Sequence, residues 1–141
     1  MNMLLPGLVT LACGLVATNT YAATYPGQAC QGQSATLAYS NTGARNATAA
    51  AMSISCPFVR TKDGGTAAAG AVAYFTNDGK SKSCYLDNFS IDSGGLLKWS
   101  STSGVTSLVL PTINPTASWQ PFALNCSLPA GSKINGYYFA E

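Results

Sequence analysis

The sequence predicts an all-β domain, an antiparallel β-sandwich of jelly-roll-like form with about eight short strands, stapled by two disulfides. Three observations support this prediction. Apolar and polar residues alternate with a period of two in several segments, turn-forming residues separate those segments, and four cysteines remain once an N-terminal leader is set aside. A chain of 141 residues is long enough for one such domain and leaves little room for a second.

Residues 1–22 are predicted to be a secretory signal peptide. Residues 4–16 are almost entirely apolar, but this run is shorter than the roughly 20 residues that a transmembrane helix needs. A small, polar stretch follows the run and offers cleavage after Ala22 or after Ala23. We therefore expect residues 23–141 to form a single secreted or periplasmic domain that does not insert into a membrane.

Two features of this leader leave other interpretations open. No Lys or Arg precedes the apolar run, so an uncleaved anchor is the competing interpretation. Cys13 lies within the run and would be the modified residue of a bacterial lipoprotein. However, Thr10, three positions earlier, is poorly suited to such a site.

The four remaining cysteines, Cys30, Cys56, Cys84 and Cys126, are predicted to form disulfides, as an even number does in an exported chain. Zinc binding needs closely spaced ligand pairs and often His, and the sequence contains no His. Of the three pairings that four cysteines allow, we favour Cys30–Cys56 and Cys84–Cys126. The first would tie the N-terminal segment to a strand, and the second would join two core strands; the other pairings stay open.

The first strand is predicted where Ala50, Met52, Ile54 and Cys56 alternate with small or polar residues, before Pro57 ends the segment. The alanines of residues 47–52 would also suit a helix, but the alternation favours a strand.

The next two strands are predicted at residues 71–76 and 83–89, after a loop at residues 61–70. Residues 77–79, Asn-Asp-Gly, lie between the two strands and tolerate the positive φ values of a tight turn. The second of these strands is therefore expected to return beside the first.

The later strands are predicted in the same way, from alternation and from the turn residues between them. A turn at residues 92–95 is expected to lead into a hairpin with strands at 96–101 and 105–110 around residues 102–104. The segments after that hairpin are a loop at 111–115, a strand at 122–127, a turn at 129–132 and a last strand at 133–140.

Three stretches of sequence carry a family resemblance. They are Ser53-Ile-Ser-Cys-Pro-Phe-Val-Arg60, Phe122-Ala-Leu-Asn-Cys-Ser-Leu-Pro129 and Ile134-Asn-Gly-Tyr-Tyr138. With these stretches and with Cys30 and Cys84, the chain resembles small exported bacterial four-cysteine β-sandwich proteins of uncharacterised function. The resemblance spans most of residues 23–141. It implies a β-sandwich with four paired cysteines, and it supplies no activity and no catalytic residues.

The charge of the chain argues against nucleic acid as a partner. Seven Lys and Arg stand against five Asp and Glu, which gives a formal net charge of +2, and the basic residues are scattered along the sequence. A nucleic-acid-binding domain of this size would carry a clustered basic patch. Only 9% of the residues are charged, whereas about 25% is usual for soluble domains.

No catalytic constellation is visible. Without His there is no Ser-His-Asp or Cys-His arrangement, and the paired cysteines leave no free thiol. Asp87 and Asp92 are the only carboxylates on or beside predicted strands that a glycosidase could use, and we interpret them as turn and strand-end residues. Asp87, Asn88 and Asp92 could offer oxygens to calcium, but their spacing fits no EF-hand loop. We expect a non-catalytic protein without metal or cofactor.

The aromatic residues Tyr85, Trp99 and Trp119 are the candidate ligand platform. Trp99 shares a strand face with Leu97, opposite Leu96 and Lys98, so either face could be the buried one. Trp99 and Trp119 are typical of a sandwich core. The competing hypothesis places them in an exposed row that stacks against sugar rings or forms an interface.

Two functions follow from these features. The first is a secreted recognition module for a glycan or a surface partner, whose contacts would lie on the aromatics and on loops 61–70, 77–82 and 111–120. The alternative is a structural subunit of an extracellular fibre, coat or matrix, in which the last strand, with Tyr137, Tyr138 and Phe139, would add to a neighbouring sheet.

Overall fold

The computed structural model describes residues 22–33, 37–58, 68–90, 93–115 and 120–141. These residues form eleven strands in two antiparallel sheets, together with one 3-10 turn at Gly27–Ala29. The predicted all-β sandwich is confirmed. The strands are β1 (Ala22–Pro26), β2 (Gln31–Gly32), β3 (Leu37–Ser40), β4 (Gly43–Asn46), β5 (Met52–Pro57), β6 (Ala69–Phe75), β7 (Lys82–Phe89), β8 (Leu96–Gly104), β9 (Ser107–Ile113), β10 (Phe122–Leu128) and β11 (Lys133–Ala140).

The two sheets are wound as a jelly roll. Sheet A has the strand order β3-β4-β11-β6-β9, with β1 also paired to β11, and sheet B has the order β2-β5-β10-β7-β8. From β4 to β11 the chain changes sheet at every connection except the one between β7 and β8. This eight-strand winding of two Greek keys is the jelly-roll arrangement. Within the described residues, no helix is long and apolar enough to cross a membrane.

The core lies between the sheets because inward positions alternate along each strand. In β5 the residues Met52, Ile54 and Cys56 are buried, and in β10 every second residue from Phe122 to Leu128 is buried. Sheet A contributes Tyr137 and Phe139 from β11. The Tyr137 hydroxyl donates a hydrogen bond of 2.8 Å to the Pro57 carbonyl oxygen, which ties β11 to the end of β5 in the other sheet.

Both disulfides have the predicted pairing. Cys84 and Cys126 lie directly opposite each other on β7 and β10, and Cys30 bonds to Cys56 just before the point where β2 pairs with β5. The Cα atoms are 4.1 Å apart in each bridge, as suits closely opposed residues of neighbouring strands. All four cysteines are buried. Each bridge therefore fastens strands within sheet B, and neither one joins the two sheets.

Two predicted hairpins are wrong. β6 belongs to sheet A and β7 to sheet B, so the turn at residues 77–79 carries the chain across the sandwich. β8 and β9 likewise lie in different sheets. In this part of the chain a hairpin instead joins β7 to β8, closed by hydrogen bonds from Ser90 N to Gly95 O and from Gly94 N to Ser90 O, both 2.9 Å. The predicted turn at 92–95 belongs to this connection, although residue 92 is outside the described ranges.

Strand number and several boundaries also differ from the prediction: β6 begins at Ala69, inside the predicted loop at 61–70, and β8 continues to Gly104, through the predicted turn at 102–104. The additional strands are short and lie in residues 22–46, where the alternation is too brief to be read from sequence. The predicted loop at 111–115 begins instead as the end of β9, which continues to Ile113. Pro111 is tolerated there because β9 is the outermost strand of sheet A and needs no donor on its free edge. Residues 61–67 of the other predicted loop are not among the described residues.

A partly buried ion pair lies at the crossing from β6 to β7. The Lys82 side chain is fully buried and its Nζ contacts Asp78 Oδ1, whose side chain is 23% exposed. The same Nζ donates to the Val105 carbonyl oxygen at 3.0 Å. The Ser132 hydroxyl donates to the other oxygen of Asp78 at 2.5 Å. This cluster joins the β6–β7 crossing to the turn before β11.

Two glycines allow the chain to pass closely over β11. A Cβ atom on Gly27 or on Gly43 would overlap the backbone carbonyl oxygen of Ile134. Gly43 also has φ +133°, a conformation that side-chain-bearing residues rarely adopt. These positions are where β11 changes partner, from β4 to β1.

Candidate functional site

The outer face of sheet B carries a mixed aromatic and polar surface. Its side chains are the ones that alternate with the buried residues of β5, β7, β8 and β10. Serines occupy many of these positions. The larger side chains near the β7–β8 side are Tyr85, Asp87, Phe89, Leu97 and Trp99, with Asn125 beside them on β10.

Trp99 and Tyr85 are exposed on this face. Trp99 is 58% exposed and Tyr85 is 43% exposed. Their ring centroids are 6.2 Å apart, and the ring planes are inclined by 56°. The interpretation of Trp99 as a core residue is therefore wrong: β8 is the outermost strand of sheet B, and it buries Ser100 rather than its aromatic residue. Trp119, the third residue of the candidate platform, lies outside the described residues.

Asp87 lies directly opposite Trp99 in the pairing of β7 with β8. One of its carboxylate oxygens, Oδ2, accepts a hydrogen bond of 2.6 Å from Asn125 Nδ2. Asn125 Oδ1 in turn accepts one of 3.3 Å from Gln33 Nε2. The two amides and the carboxylate form a directed chain across the sheet, which orients the Asp87 side chain on the face that also carries Trp99. Cross-strand neighbours of this kind lie within reach of a common ligand.

The arrangement of Asp87 and Asn88 argues against a shared calcium ion. The two residues are consecutive in β7, so their side chains point to opposite faces of sheet B. Asn88 is fully buried and its Nδ2 donates to the Pro121 carbonyl oxygen at 3.3 Å. In the part of the chain that the structure describes, no group of three or more His, Cys, Asp or Glu could hold a metal ion. Asp92 is not among those residues.

The strand proposed for subunit addition is not at an edge. β11 pairs with β6 along one side and with β4 and β1 along the other. Tyr137 and Phe139 are buried in the core, and only Tyr138 faces outward, half-buried. The backbone of β11 has therefore already formed the hydrogen bonds that strand addition would use.

The outer face of sheet A gives a useful contrast. It exposes Tyr74, which is 45% accessible, in line with Gly136 on β11 and Ser107 on β9. Within the described ranges, Tyr74 forms no hydrogen bond with a carboxylate. Tyr74 is therefore a natural reference residue for an exposed aromatic that is not part of the Trp99 surface.

Sequence reasoning assigned Asp87 to other roles and did not single out Asn125 or Gln33 as binding residues. The position of Asn125 beside Tyr85 could have been predicted from the sequence. Once Cys84 is bonded to Cys126 between neighbouring antiparallel strands, counting one residue along each strand places Asn125 opposite Tyr85. No comparable signal existed for Gln33, because its hydrogen bond reaches Asn125 across β5.

Comparison of the chain with protein-family models, with curated proteins and with solved structures finds no match. The fold alone does not assign a function, because jelly rolls carry many unrelated ones. The functional argument therefore depends on the chemistry of the outer face of sheet B.

Proposed function

We propose that the protein is a secreted, non-catalytic recognition module that binds a glycan through the outer face of sheet B. The observation that supports this most directly is the exposed pair Trp99 and Tyr85 beside a hydrogen-bonded Asp87. A sugar ring presents C–H groups on its faces and hydroxyl groups around its rim. Aromatic rings stack on the faces, and carboxylates or amides accept from the hydroxyls.

The rigidity of sheet B supports the same role. Both disulfides fasten neighbouring strands of this sheet on the side away from the proposed site. A surface that is already ordered loses less conformational entropy when a ligand binds. The small hydroxyl residues around the aromatic pair leave the two rings accessible to a chain-like ligand.

Secretion is part of the proposal. The apolar segment at residues 4–16 and the small residues at 20–23 suit a signal peptide cleaved after Ala22 or Ala23. Two disulfides suit an oxidising compartment. N-terminal sequencing of the exported protein should begin at Ala23 or at Thr24, and a product that still carries residues 1–22 would contradict this part of the proposal.

The test of glycan binding is the loss of affinity in Trp99→Ala. Native gels containing a soluble polysaccharide measure binding as retarded migration. Trp99→Ala should weaken binding by at least about thirtyfold, the effect expected when a central aromatic contact is removed. The denaturation midpoint should stay within error of the wild type because the indole is exposed.

Tyr74→Ala is the matched control, since it removes a similarly exposed aromatic from the opposite sheet. It should migrate as the wild type does. Equal retardation of Trp99→Ala and wild type would show that the outer face of sheet B is not the site.

A further inference from the structure

The tilt between Trp99 and Tyr85 restricts the shape of the ligand. The surface of a crystalline polysaccharide presents its sugar faces in one plane, so the aromatic rings that bind it must be coplanar. Here the two rings are on neighbouring strands, and their planes are inclined by 56°. They suit a single chain in which consecutive sugar rings are turned relative to one another.

The charge of the face restricts the chemistry of the ligand. Among the described residues, Asp87 is the ionisable side chain next to the aromatic pair. The nearby Lys98 is turned away, with its Nζ donating to the Asn114 carbonyl oxygen at 2.6 Å, and Lys82 is buried. Since no exposed cation lies beside Asp87 within the described part of the chain, this carboxylate repels uronic acids and sulfated sugars, whereas a neutral sugar meets no such repulsion.

Asp87 is also positioned to select hydroxyl groups. An ionised carboxylate only accepts hydrogen bonds, and a sugar hydroxyl can donate one. Asn125 occupies Oδ2, and among the described residues no hydrogen bond is formed by Oδ1. Since Asp87 is directly opposite Trp99, a ring stacked on the indole brings its rim hydroxyls to this carboxylate.

Resting on the proposed function, we infer that the ligand is a single, soluble chain of neutral sugars. Asp87 determines this specificity by accepting a hydrogen bond from a hydroxyl of the ring stacked on Trp99. Asn125 and Gln33 act as positioning residues, because their hydrogen bonds form the chain that ends on Asp87.

Asp87→Asn tests this inference without removing a contact within the protein. The new amide oxygen can accept from Asn125, which leaves an NH₂ group, a donor, facing the ligand. Native gels would contain soluble mixed-linked β-glucan, xylan, galactomannan or, as the acidic probe, polygalacturonate. A depletion assay with microcrystalline cellulose would test the crystalline surface.

We expect at least one neutral soluble polysaccharide to retard the wild type in the gel. Polygalacturonate should not retard it, and microcrystalline cellulose should not deplete it from solution. Asp87→Asn should weaken that binding about tenfold, as loss of a hydrogen bond to a charged group does. Tyr74→Ala should bind normally, and the denaturation midpoint of Asp87→Asn should match the wild type.

The outcomes separate this inference from the proposed function. Normal binding by Asp87→Asn, with binding lost in Trp99→Ala, would overturn the role of Asp87 and leave the glycan site in place. Binding to polygalacturonate or to cellulose that depends on Trp99 would overturn the ligand class alone. A wild-type protein that binds none of the probes would overturn the proposed function and this inference together.

Discussion

At the scale of single residues, the buried ammonium group of Lys82 depends on one carboxylate. Hydrogen bonds from Lys82 and then from the Ser132 hydroxyl hold the pKa of Asp78 well below its ordinary value of 3.8. A carboxyl group whose pKa is lowered by folding stabilises the fold above its ordinary pKa. That stabilisation is lost as the pH falls below this value and the carboxylate becomes protonated.

Asp78→Asn should therefore lower the free energy of unfolding by about 2 kcal/mol at neutral pH, because it leaves Lys82 buried without its counterion. We place the value below the full cost of breaking a buried pair because Asp78 is 23% exposed. Urea unfolding at neutral pH would measure the change.

The same variant should be less sensitive to acid than the wild type between about pH 5 and pH 2. Ser132→Ala is the milder control, since it removes one hydrogen bond to Asp78 and leaves the ion pair intact. Equal stability of Asp78→Asn and wild type at every pH would contradict this account.

The orientation of Trp99 could not be predicted from the sequence. In β8, Leu97 and Trp99 lie on one face and Leu96 and Lys98 on the other, so each face offers apolar residues to the core. The choice is settled by neighbours: Ser100 lies opposite Leu86 of β7, which is buried, and Trp99 lies opposite Asp87. Cross-strand pairing decides which face of β8 is exposed to solvent. The alternation within this one strand was therefore not enough to predict the orientation of Trp99.

At the scale of secondary-structure elements, Gly43 controls the entry into β4. Gly43→Ala should lower the free energy of unfolding by about 3 kcal/mol or more, because φ is +133° and the added Cβ would overlap the Ile134 carbonyl oxygen. Urea or thermal unfolding would measure the loss.

Gly79→Ala is the control that separates the two causes of this loss. Gly79 also has a positive φ, +72°, but a Cβ there would meet nothing within 4 Å. Gly79→Ala should lower the free energy of unfolding by about 1 kcal/mol, which is the strain of the backbone alone. If the two variants were equally stable, the close approach of Gly43 to β11 would contribute nothing to the loss of stability.

Strands were predicted from the sequence more successfully than their connections. β10 and β11 match closely because their alternation is regular and turn residues bound them. The errors at the β6–β7 and β8–β9 connections have a common cause, although residues 102–104 themselves belong to β8. A short Gly-containing connection marks a change of direction, but it does not say whether the following strand joins the same sheet or the opposite one.

At the scale of the whole molecule, the two disulfides stabilise one sheet. The double variants Cys30→Ala/Cys56→Ala and Cys84→Ala/Cys126→Ala should each lower the free energy of unfolding by about 3 to 4 kcal/mol in the chain-entropy model. The second should cost slightly more because its bridge spans 42 residues rather than 26. Guanidinium unfolding of the purified variants would measure both losses.

The burial of the two disulfides should also control how fast they are reduced. Because all four cysteines are buried, a thiol reductant should act on the wild type only when the sandwich opens. Rapid reduction under native conditions, or unchanged stability in both double variants, would contradict the placement of the bridges in the core of sheet B.

The central position of β11 has a consequence for biosynthesis. The strands that flank it, β1, β4 and β6, leave the ribosome before their partner does. Sheet A therefore lacks its central strand until residues 133–140 emerge, and the pairings of β1, β4 and β6 with β11 cannot form earlier. The two halves of sheet A, β3–β4 on one side and β6–β9 on the other, are therefore joined only at the end of translation.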